Sequence, residues 1–199
     1  MGKKKLVLTR EECFELMDRH GMLEHIMDHS LAVRKVALFL SIELNKRGQA
    51  LDLGLVEAAS LLHDLAKTAC LKTKEDHAEA GFQLLVRLGY QRIGEVVAQH
   101  IVVWKIEDPS RVTEEEVVNY ADKRVRHDRI VSLKDRFADL RHRYGKKGND
   151  DLEAWEGLER MTFEIESKIF SILGMDPADL EQLQDSATEG QISTRKKQS

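Results

Sequence analysis

Apolar residues recur at intervals of three and four along almost the whole sequence, which is the spacing of one face of an α-helix. The clearest of these stripes carries Ile26, Val33, Val36 and Leu40. An alternation of apolar and polar residues, which would predict a β-strand, is only weakly present at residues 5–8. The sequence therefore predicts an all-α fold, a helical bundle of about seven to nine helices.

Signals for helix ends divide this pattern into separate helices. Thr9 with Glu12, and Thr113 with Glu116, have the spacing of a capping box. Further helix starts are predicted at Asp52, at Thr73 with Asp76, and at Pro177. The predicted helices cover approximately residues 9–19, 22–46, 52–67, 73–88, 91–103, 113–127, 132–144, 150–173 and 177–184.

The length of 199 residues suits one domain with a buried core. We predict a single helical domain over residues 1–184, which includes C-terminal helices over 150–184. Residues 185–199 are polar and without periodicity, which predicts a disordered tail. The helices after Ser132 would form either a homodimer surface or a lid, so a homodimer is one predicted assembly.

Charge and composition bear on the expected partners. The formal net charge is -4 and the pI is about 6.1, a balance that favours neither nucleic acid nor an anionic membrane. No apolar run approaches the ~18 residues of a membrane-spanning helix. Cys13 and Cys70 lack C-x-x-C spacing, which predicts two reduced thiols. We expect a cytoplasmic protein with neither a membrane nor nucleic acid as partner.

Six imidazole and carboxylate side chains lie on or beside the apolar stripes of five predicted helices. A single histidine there is more often a hydrogen-bonded core residue than a ligand, but a buried unpaired carboxylate is costly. A shared cation would partner all six, and imidazole with carboxylate suits Zn, Mn, Fe or Co. The predicted metal ligands are His29, His63, Asp64, His77, His100 and Asp122.

The other four histidines are weaker candidates. His25 precedes His29 by four residues, but isoleucine follows it where the glutamate of an H-E-x-x-H zinc motif would stand. We predict that His25 lies near the ligands or at the surface. His20, His127 and His142 lie among charged residues and are predicted to be solvated.

Three segments around the predicted ligands resemble one known family. The HD-domain superfamily of metal-dependent phosphohydrolases has helices similar to HSLAVRKVA around His29, AASLLHDLAK around His63 and VVNYADKRV around Asp122. The resemblance covers about residues 22–145, the core of the predicted domain. It implies an HD-type helical bundle with a divalent-metal centre.

The resemblance also implies that the ligands divide between two divalent cations, of Fe, Mn, Co or Zn. One cation would take His29, His63, Asp64 and Asp122. The second would take His77 and His100, with Asp64 as the bridge. These two additional histidines occur in two-metal branches such as the bacterial diadenosine-polyphosphate hydrolases, and are lacking in the mononuclear branch that acts on nucleoside monophosphates.

Such a centre supports hydrolysis by a metal-bridging hydroxide, and the sequence offers no activated serine or cysteine nucleophile. Asp64 and Lys67, in the pattern H-D-x-x-K, are the predicted catalytic residues. Arg126 lies four residues after the last predicted ligand, which predicts the same helical face and a contact with phosphate. Lys67 and Arg126 are the predicted substrate-binding residues, whereas Lys123 and Arg124 are predicted to face the surface.

The leading hypothesis is a metal-dependent phosphohydrolase or phosphodiesterase whose substrate is a nucleotide or a related small phosphoester. One alternative is a di-iron oxygenase, since a minority of the superfamily uses six such ligands for oxidative cleavage. Lys67 and the nearby basic residues favour phosphate over that chemistry. The other alternative is a non-catalytic nucleotide-sensing module, although a complete ligand set favours catalysis.

Overall fold

The computed structural model describes residues 7–106, 108–144 and 149–184. Within these ranges the chain forms nine α-helices, a two-stranded hairpin and a 3₁₀ helix, which confirms the all-α prediction. The α-helices are α1 Arg10–Arg19, α2 Glu24–Asn45, α3 Leu53–Leu62, α4 Lys67–Thr73, α5 His77–Leu88, α6 Gln91–Ala98, α7 Glu114–Lys123, α8 Leu133–Tyr144 and α9 Asn149–Leu173. The hairpin strands are β1 Val125–Arg126 and β2 Arg129–Ile130, and the 3₁₀ helix is Pro177–Gln184.

Side-chain caps begin three of the helices where the sequence predicts them. The Thr9 hydroxyl accepts a hydrogen bond from the Glu12 amide, and the Glu12 carboxylate accepts one from the Thr9 amide. Thr113 and Glu116 repeat both contacts at the start of α7. Asp52 caps α3 with its carboxylate. Each contact satisfies an amide that has no partner within its own helix.

The start of α5 differs from the prediction. Thr73 is the last residue of α4, a separate short helix that begins at Lys67. Lys74 follows with a φ of 65°, and this left-handed conformation ends α4. Asp76 alone caps α5, because its carboxylate accepts hydrogen bonds from two amides of the first turn. The predicted helix start at Thr73 is therefore wrong, and the start lies at Asp76 instead.

Two helices near the predicted ligands are shorter than the sequence predicts. Helix α6 ends at Ala98 rather than near residue 103. Helix α7 ends at Lys123 rather than continuing toward His127, and the β1–β2 hairpin follows it. His127 has a φ of 59°, which is incompatible with a continuing right-handed helix. Strands of two residues are too short for an alternating pattern to reveal.

Helices α2, α3, α6 and α7 form the centre of the bundle. Helix α2 packs against α3 and α7, α3 packs against α6 and α7, and α5 packs against α6. Their common core includes the fully buried Val36, Leu40, Val56, Leu62 and Val118. Every predicted metal ligand lies on one of these five helices or just beyond its end, so the packing brings them together.

The C-terminal helices extend the same core. Helix α9 packs against α7 and α2, and Lys168 of α9 donates hydrogen bonds to both carboxylate oxygens of Glu116 at 2.7 and 2.9 Å. A homodimer formed through the remaining surface of α8 and α9 stays a prediction. The predicted tail at 185–199 lies outside the described residues. Of the weak strand candidate, residues 7–8 are irregular and residues 5–6 lie outside the described ranges.

None of the helices in the described part of the chain combines the length and the apolar character that crossing a membrane requires.

Candidate metal centre

His29 and Asp122 come from two contacting helices and meet directly. His29 lies on the buried face of α2, and Asp122 lies in the last turn of α7. His29 Nε2 is 3.0 Å from Asp122 Oδ1. His29 Nδ1 donates a hydrogen bond of 2.7 Å to the backbone carbonyl of His127. The hairpin that follows α7 therefore orients the His29 ring toward Asp122.

His63 and Asp64 lie just past the end of α3 and are almost completely buried, with 0% and 1% of their surface exposed. His63 Nδ1 donates a hydrogen bond of 2.8 Å to the Ser60 carbonyl. His63 Nε2 lies 3.4 Å from Asp64 Oδ2 and 3.7 Å from Asp122 Oδ1. These two residues therefore join the pair formed by α2 and α7.

His77 and His100 form a second group on the other oxygen of Asp64. His77 begins α5, and His100 follows the end of α6. Their Nε2 atoms lie 3.1 Å apart. Asp64 Oδ1 is 3.2 Å from His77 Nε2 and 3.7 Å from His100 Nε2. The two oxygens of one carboxylate thus face two different groups of imidazole nitrogens.

Backbone carbonyls determine where three of the four rings carry hydrogen. A carbonyl oxygen only accepts hydrogen bonds. His100 Nδ1 lies 2.7 Å from the Val97 carbonyl. Nδ1 must therefore be the donor in His29, His63 and His100. In the neutral ring, Nε2 then presents a lone pair to the centre. Metal-binding histidines are commonly held in this way, with the far nitrogen donating to a carbonyl.

The centre contains buried polar atoms that the protein leaves without partners. Among the described residues, His63 Nε2 and Asp64 Oδ1 have no hydrogen-bond partner, which is costly in a protein interior. Ligand atoms lie within 4.8 Å of one another in two sets, His29 with His63 and Asp64, and Asp64 with His77 and His100. Imidazole nitrogen and carboxylate oxygen suit Fe, Mn, Co and Zn, so the residues present fit divalent cations.

Burial and neighbouring charge compete to set the protonation of these groups. Burial alone would raise the pKa of Asp64, but the adjacent His63 holds that pKa well below its usual value. Burial would also raise the pKa of Asp122, but Lys123, His29 and His63 together hold that pKa well below its usual value. Burial, followed by the nearby His63, lowers the pKa of His100 to about 3. Charged carboxylates and a neutral His100 are the forms that bind metal.

Lys67, a predicted catalytic and substrate-binding residue, contacts Asp64. Its Nζ donates a hydrogen bond of 2.7 Å to Asp64 Oδ2, and 39% of its side chain is exposed. The chain turns sharply between Asp64 and α4, so Lys67 reaches back from the first residue of the new helix. Its ammonium therefore contacts the shared carboxylate from the solvent side.

The basic residues after Asp122 lie differently from the prediction. Arg126 is in β1, so it does not share a helical face with Asp122. Lys123 and Arg124, which were expected at the surface, are buried with 4% and 1% of their area exposed. The prediction was wrong because it extended α7 too far and because neighbouring helices cover α7 on every side after Glu115.

Lys123 is a neighbour of the centre that the sequence analysis missed. Its Nζ donates hydrogen bonds of 2.8 Å to Asp122 Oδ2 and to the His100 carbonyl. Its position directly after a predicted ligand was the one available signal. Within the charged run KRVRHDR, however, a lysine is typical of a solvated face.

The remaining histidines lie apart from the two ligand sets. His25 and His142 are exposed, and His20 is half-buried. The side chain of His127 is exposed, but its backbone carbonyl holds the His29 ring. The exposure of His25 agrees with a surface position, one of the two positions predicted for it.

Comparisons with known proteins agree with the ligand pattern at the level of the family. Residues 26–140 match a family model described as "HD domain". Over 102 residues the chain is 29% identical to a tRNA (cytidine(56)-2'-O)-methyltransferase of Thermoplasma volcanium. That alignment covers 50% of this chain but only 28% of the relative, so the chain spans less than a third of the relative's length. No solved structure matches the chain.

Proposed function

The chain belongs to the HD-domain family, and we propose that it is a metal-dependent phosphohydrolase or phosphodiesterase that acts on a nucleotide or a related small phosphoester. The observation that carries the proposal is the Asp64 carboxylate, whose two oxygens face two separate sets of imidazole nitrogens. Cations in both sets would satisfy the buried atoms His63 Nε2 and Asp64 Oδ1.

The proposed ligand sets share Asp64. One divalent cation would be held by His29, His63, Asp64 and Asp122, and the other by Asp64, His77 and His100. His63 belongs to the first set, and Asp64 Oδ1 lies 3.2 and 3.7 Å from the Nε2 atoms of His77 and His100 in the second. A single cation in the first set would leave Asp64 Oδ1 without a partner, so the pair of orphaned atoms supports two cations rather than one.

When bound, such a pair of cations would supply an activated water and neutralise charge on a phosphate oxygen. Asp64 is a proposed catalytic residue because it keeps both ligand sets in one geometry. Lys67 is the other, since its ammonium holds Asp64 Oδ2 and is exposed enough to bind a phosphate oxygen as well.

Arg126 is a proposed phosphate ligand because of its place in the β1–β2 hairpin. It lies half-buried in the hairpin whose His127 carbonyl holds His29, so it is close to the centre along the chain. Within the described ranges its guanidinium takes part in no ion pair, and it is therefore available for a substrate anion. Guanidinium groups bind phosphate through paired hydrogen bonds.

A phosphoester carried by RNA is a second candidate substrate. The relative from Thermoplasma volcanium is named for a tRNA, and it shares 102 aligned residues with this chain. The net charge of -4 describes the whole chain, whereas Arg126 and Arg129 place two positive charges on the hairpin beside the centre. The test of function therefore includes an RNA substrate.

The test combines elemental analysis of the purified protein with a substrate panel assayed in Mn, Fe, Co and Zn. The panel contains a generic phosphodiester, nucleoside mono- and diphosphates, a dinucleoside polyphosphate and a short oligoribonucleotide. We expect about two metals per chain and metal-dependent release of phosphate or nucleotide, both lost in Asp64→Ala. Failure to hydrolyse any phosphoester with any metal would reject the proposal. Oxygen consumption with a mixed-valent di-iron spectrum would instead establish an oxygenase.

A further inference from the structure

Two side chains of α7 hold the segment that carries His100. Asn119 Nδ2 donates hydrogen bonds of 2.9 and 3.0 Å to the carbonyls of Gln99 and His100. Lys123 Nζ donates a hydrogen bond of 2.8 Å to the same His100 carbonyl. These carbonyls lie where α6 ends and have no partner within that helix. Helix α7 therefore fixes the position of His100 through the backbone carbonyls of His100 and Gln99.

The same lysine contacts the other ligand set. Lys123 Nζ donates a hydrogen bond of 2.8 Å to Asp122 Oδ2, which leaves Asp122 Oδ1 to face His29 and His63. Lys123 is 4% exposed and is thus enclosed by the protein. One buried ammonium is consequently bonded to a ligand of the first set and to the backbone of a ligand of the second.

We propose that Lys123, assisted by Asn119, is a positioning residue that couples the two proposed metal positions by bonding Asp122 and the His100 backbone at the same time. The inference rests on the proposed two-metal centre. Asn119 positions only the second ligand set, because it contacts the Gln99 and His100 carbonyls and not Asp122. Groups that orient metal ligands in this way typically change metal affinity by about ten- to a hundredfold.

The test measures Mn²⁺ binding by equilibrium dialysis, without substrate, in the wild type, Lys123→Met and Asn119→Ala. Lys123→Met keeps the length of the side chain and removes its donors. We expect it to weaken both Mn²⁺ sites by about tenfold or more. Asn119→Ala is expected to weaken one site, with the other within about twofold of the wild type. Loss of the exchange-coupled dimanganese signal in electron paramagnetic resonance would accompany both changes.

Lys168→Met is the matched control, because Lys168 is also a buried lysine bonded to a carboxylate of α7. It touches Glu116, whose contacts do not include the proposed ligands. We expect Lys168→Met to lower the melting temperature of the metal-free protein without changing Mn²⁺ affinity. Thermal melts of every metal-free variant separate loss of folding from loss of binding.

Wild-type Mn²⁺ affinity at both sites in folded Lys123→Met would overturn the inference, as would an equal loss in Lys168→Met. If Lys123→Met does not fold, Lys123→Gln takes its place: weaker Mn²⁺ binding at both sites supports the coupling, and wild-type affinity at either site overturns it. A wild type that binds two Mn²⁺ but hydrolyses no phosphoester would reject the proposed function while the inference stands. A wild type that binds none of Mn, Fe, Co and Zn overturns both.

Discussion

Helix α7 contributes to two buried polar clusters that resemble each other in burial and differ in how completely their atoms are paired. The candidate metal centre takes Asp122 from α7. The α7–α9 cluster consists of Glu116, Tyr120, Arg124, Glu166 and Lys168. In that cluster Tyr120 Oη donates to Glu166 at 2.6 Å, Arg124 donates to Tyr120 Oη at 2.6 Å, and Lys168 donates to Glu116 at 2.7 Å. In the centre, His63 Nε2 and Asp64 Oδ1 have no partner among the described residues.

The difference separates a structural cluster from a ligand site. Buried polar groups in a folded protein are nearly always hydrogen-bonded, so a fully paired cluster needs nothing from outside the chain. Clustered unpaired imidazole nitrogen and carboxylate oxygen atoms fit a cation. Changes to the α7–α9 cluster should therefore affect stability and leave metal content unchanged, whereas changes to the centre should affect metal content first.

The largest effect is expected from Asp64→Ala. Because Asp64 is shared by both proposed sets, its loss should remove both metals and reduce hydrolysis below detection. Elemental analysis and the phosphoester assay measure the two effects. Asp64→Asn is the matched control, which keeps the shape but removes the charge and one acceptor, and it should also lose both metals. Normal turnover in either variant would contradict the two-metal interpretation.

Arg124→Met should produce the largest loss of stability in the α7–α9 cluster. It leaves Tyr120 and Glu166 without their cation and frees the carbonyls of Val131 and Pro177. We expect the free energy of unfolding to fall by about 3 kcal/mol in urea titrations, with two metals retained per folded chain. Tyr120→Phe, which removes one hydroxyl, should cost about 1 kcal/mol. Loss of metal in either folded variant would show that the α7–α9 cluster also supports metal binding, which would contradict the distinction between the two clusters.

Chelation should lower the stability of the wild type more than that of Asp64→Ala. A ligand that binds only the folded state at a hundred times its Kd stabilises by about 2.7 kcal/mol, or roughly 5–10 °C in Tm for a chain of this size. Calorimetry with and without a chelator measures the shift. Arg124→Met should show the wild-type shift from a lower starting Tm. An equal shift in Asp64→Ala would show that the chelated metal binds elsewhere.

His77→Ala and His100→Ala should each reduce the metal content from about two toward one per chain. Each removes a ligand of the second set and leaves the first set intact. Elemental analysis after dialysis provides the count, and His25→Ala is a control on an exposed histidine outside both sets. Unchanged stoichiometry in both variants would contradict the assignment of these two histidines to a second metal position, and a wild-type content near one would indicate a mononuclear site.

The smallest effect is expected from Arg126→Ala. Loss of one phosphate contact at a partly exposed position should raise the KM about tenfold, which corresponds to 1.4 kcal/mol, with kcat and metal content nearly unchanged. Steady-state kinetics on the best substrate of the panel tests this. Arg160→Ala, at an exposed arginine of α9, is the control. Unchanged kinetics in Arg126→Ala would remove it from the proposed substrate contacts.

The sequence predicted the ligand candidates because each is polar at a position where helical spacing requires an apolar residue. His29 on the α2 stripe and Asp122 between two valines are the clearest cases. The capping boxes of α1 and α7 were predicted for a different reason, because their whole signal lies within four residues. Local periodicity was sufficient wherever the helix continued through the residue in question.

The neighbours of the ligands could not be predicted in the same way. Lys123 and Arg124 are buried by helices that are distant in sequence, and Arg126 depends on where α7 ends. The hairpin that ends α7 has strands of two residues, which give no periodic signal. Its His127 carbonyl orients His29, a contact across 98 positions that no spacing rule contains.

A crystal structure of the Mn²⁺-soaked protein, with anomalous diffraction data, tests the central claim most directly. The account predicts two anomalous peaks, one on each side of the Asp64 carboxylate. The first would lie among His29, His63 and Asp122, and the second beside His77 and His100. A single peak, or peaks that do not contact Asp64, would contradict the claim that its two oxygens serve two metal ions.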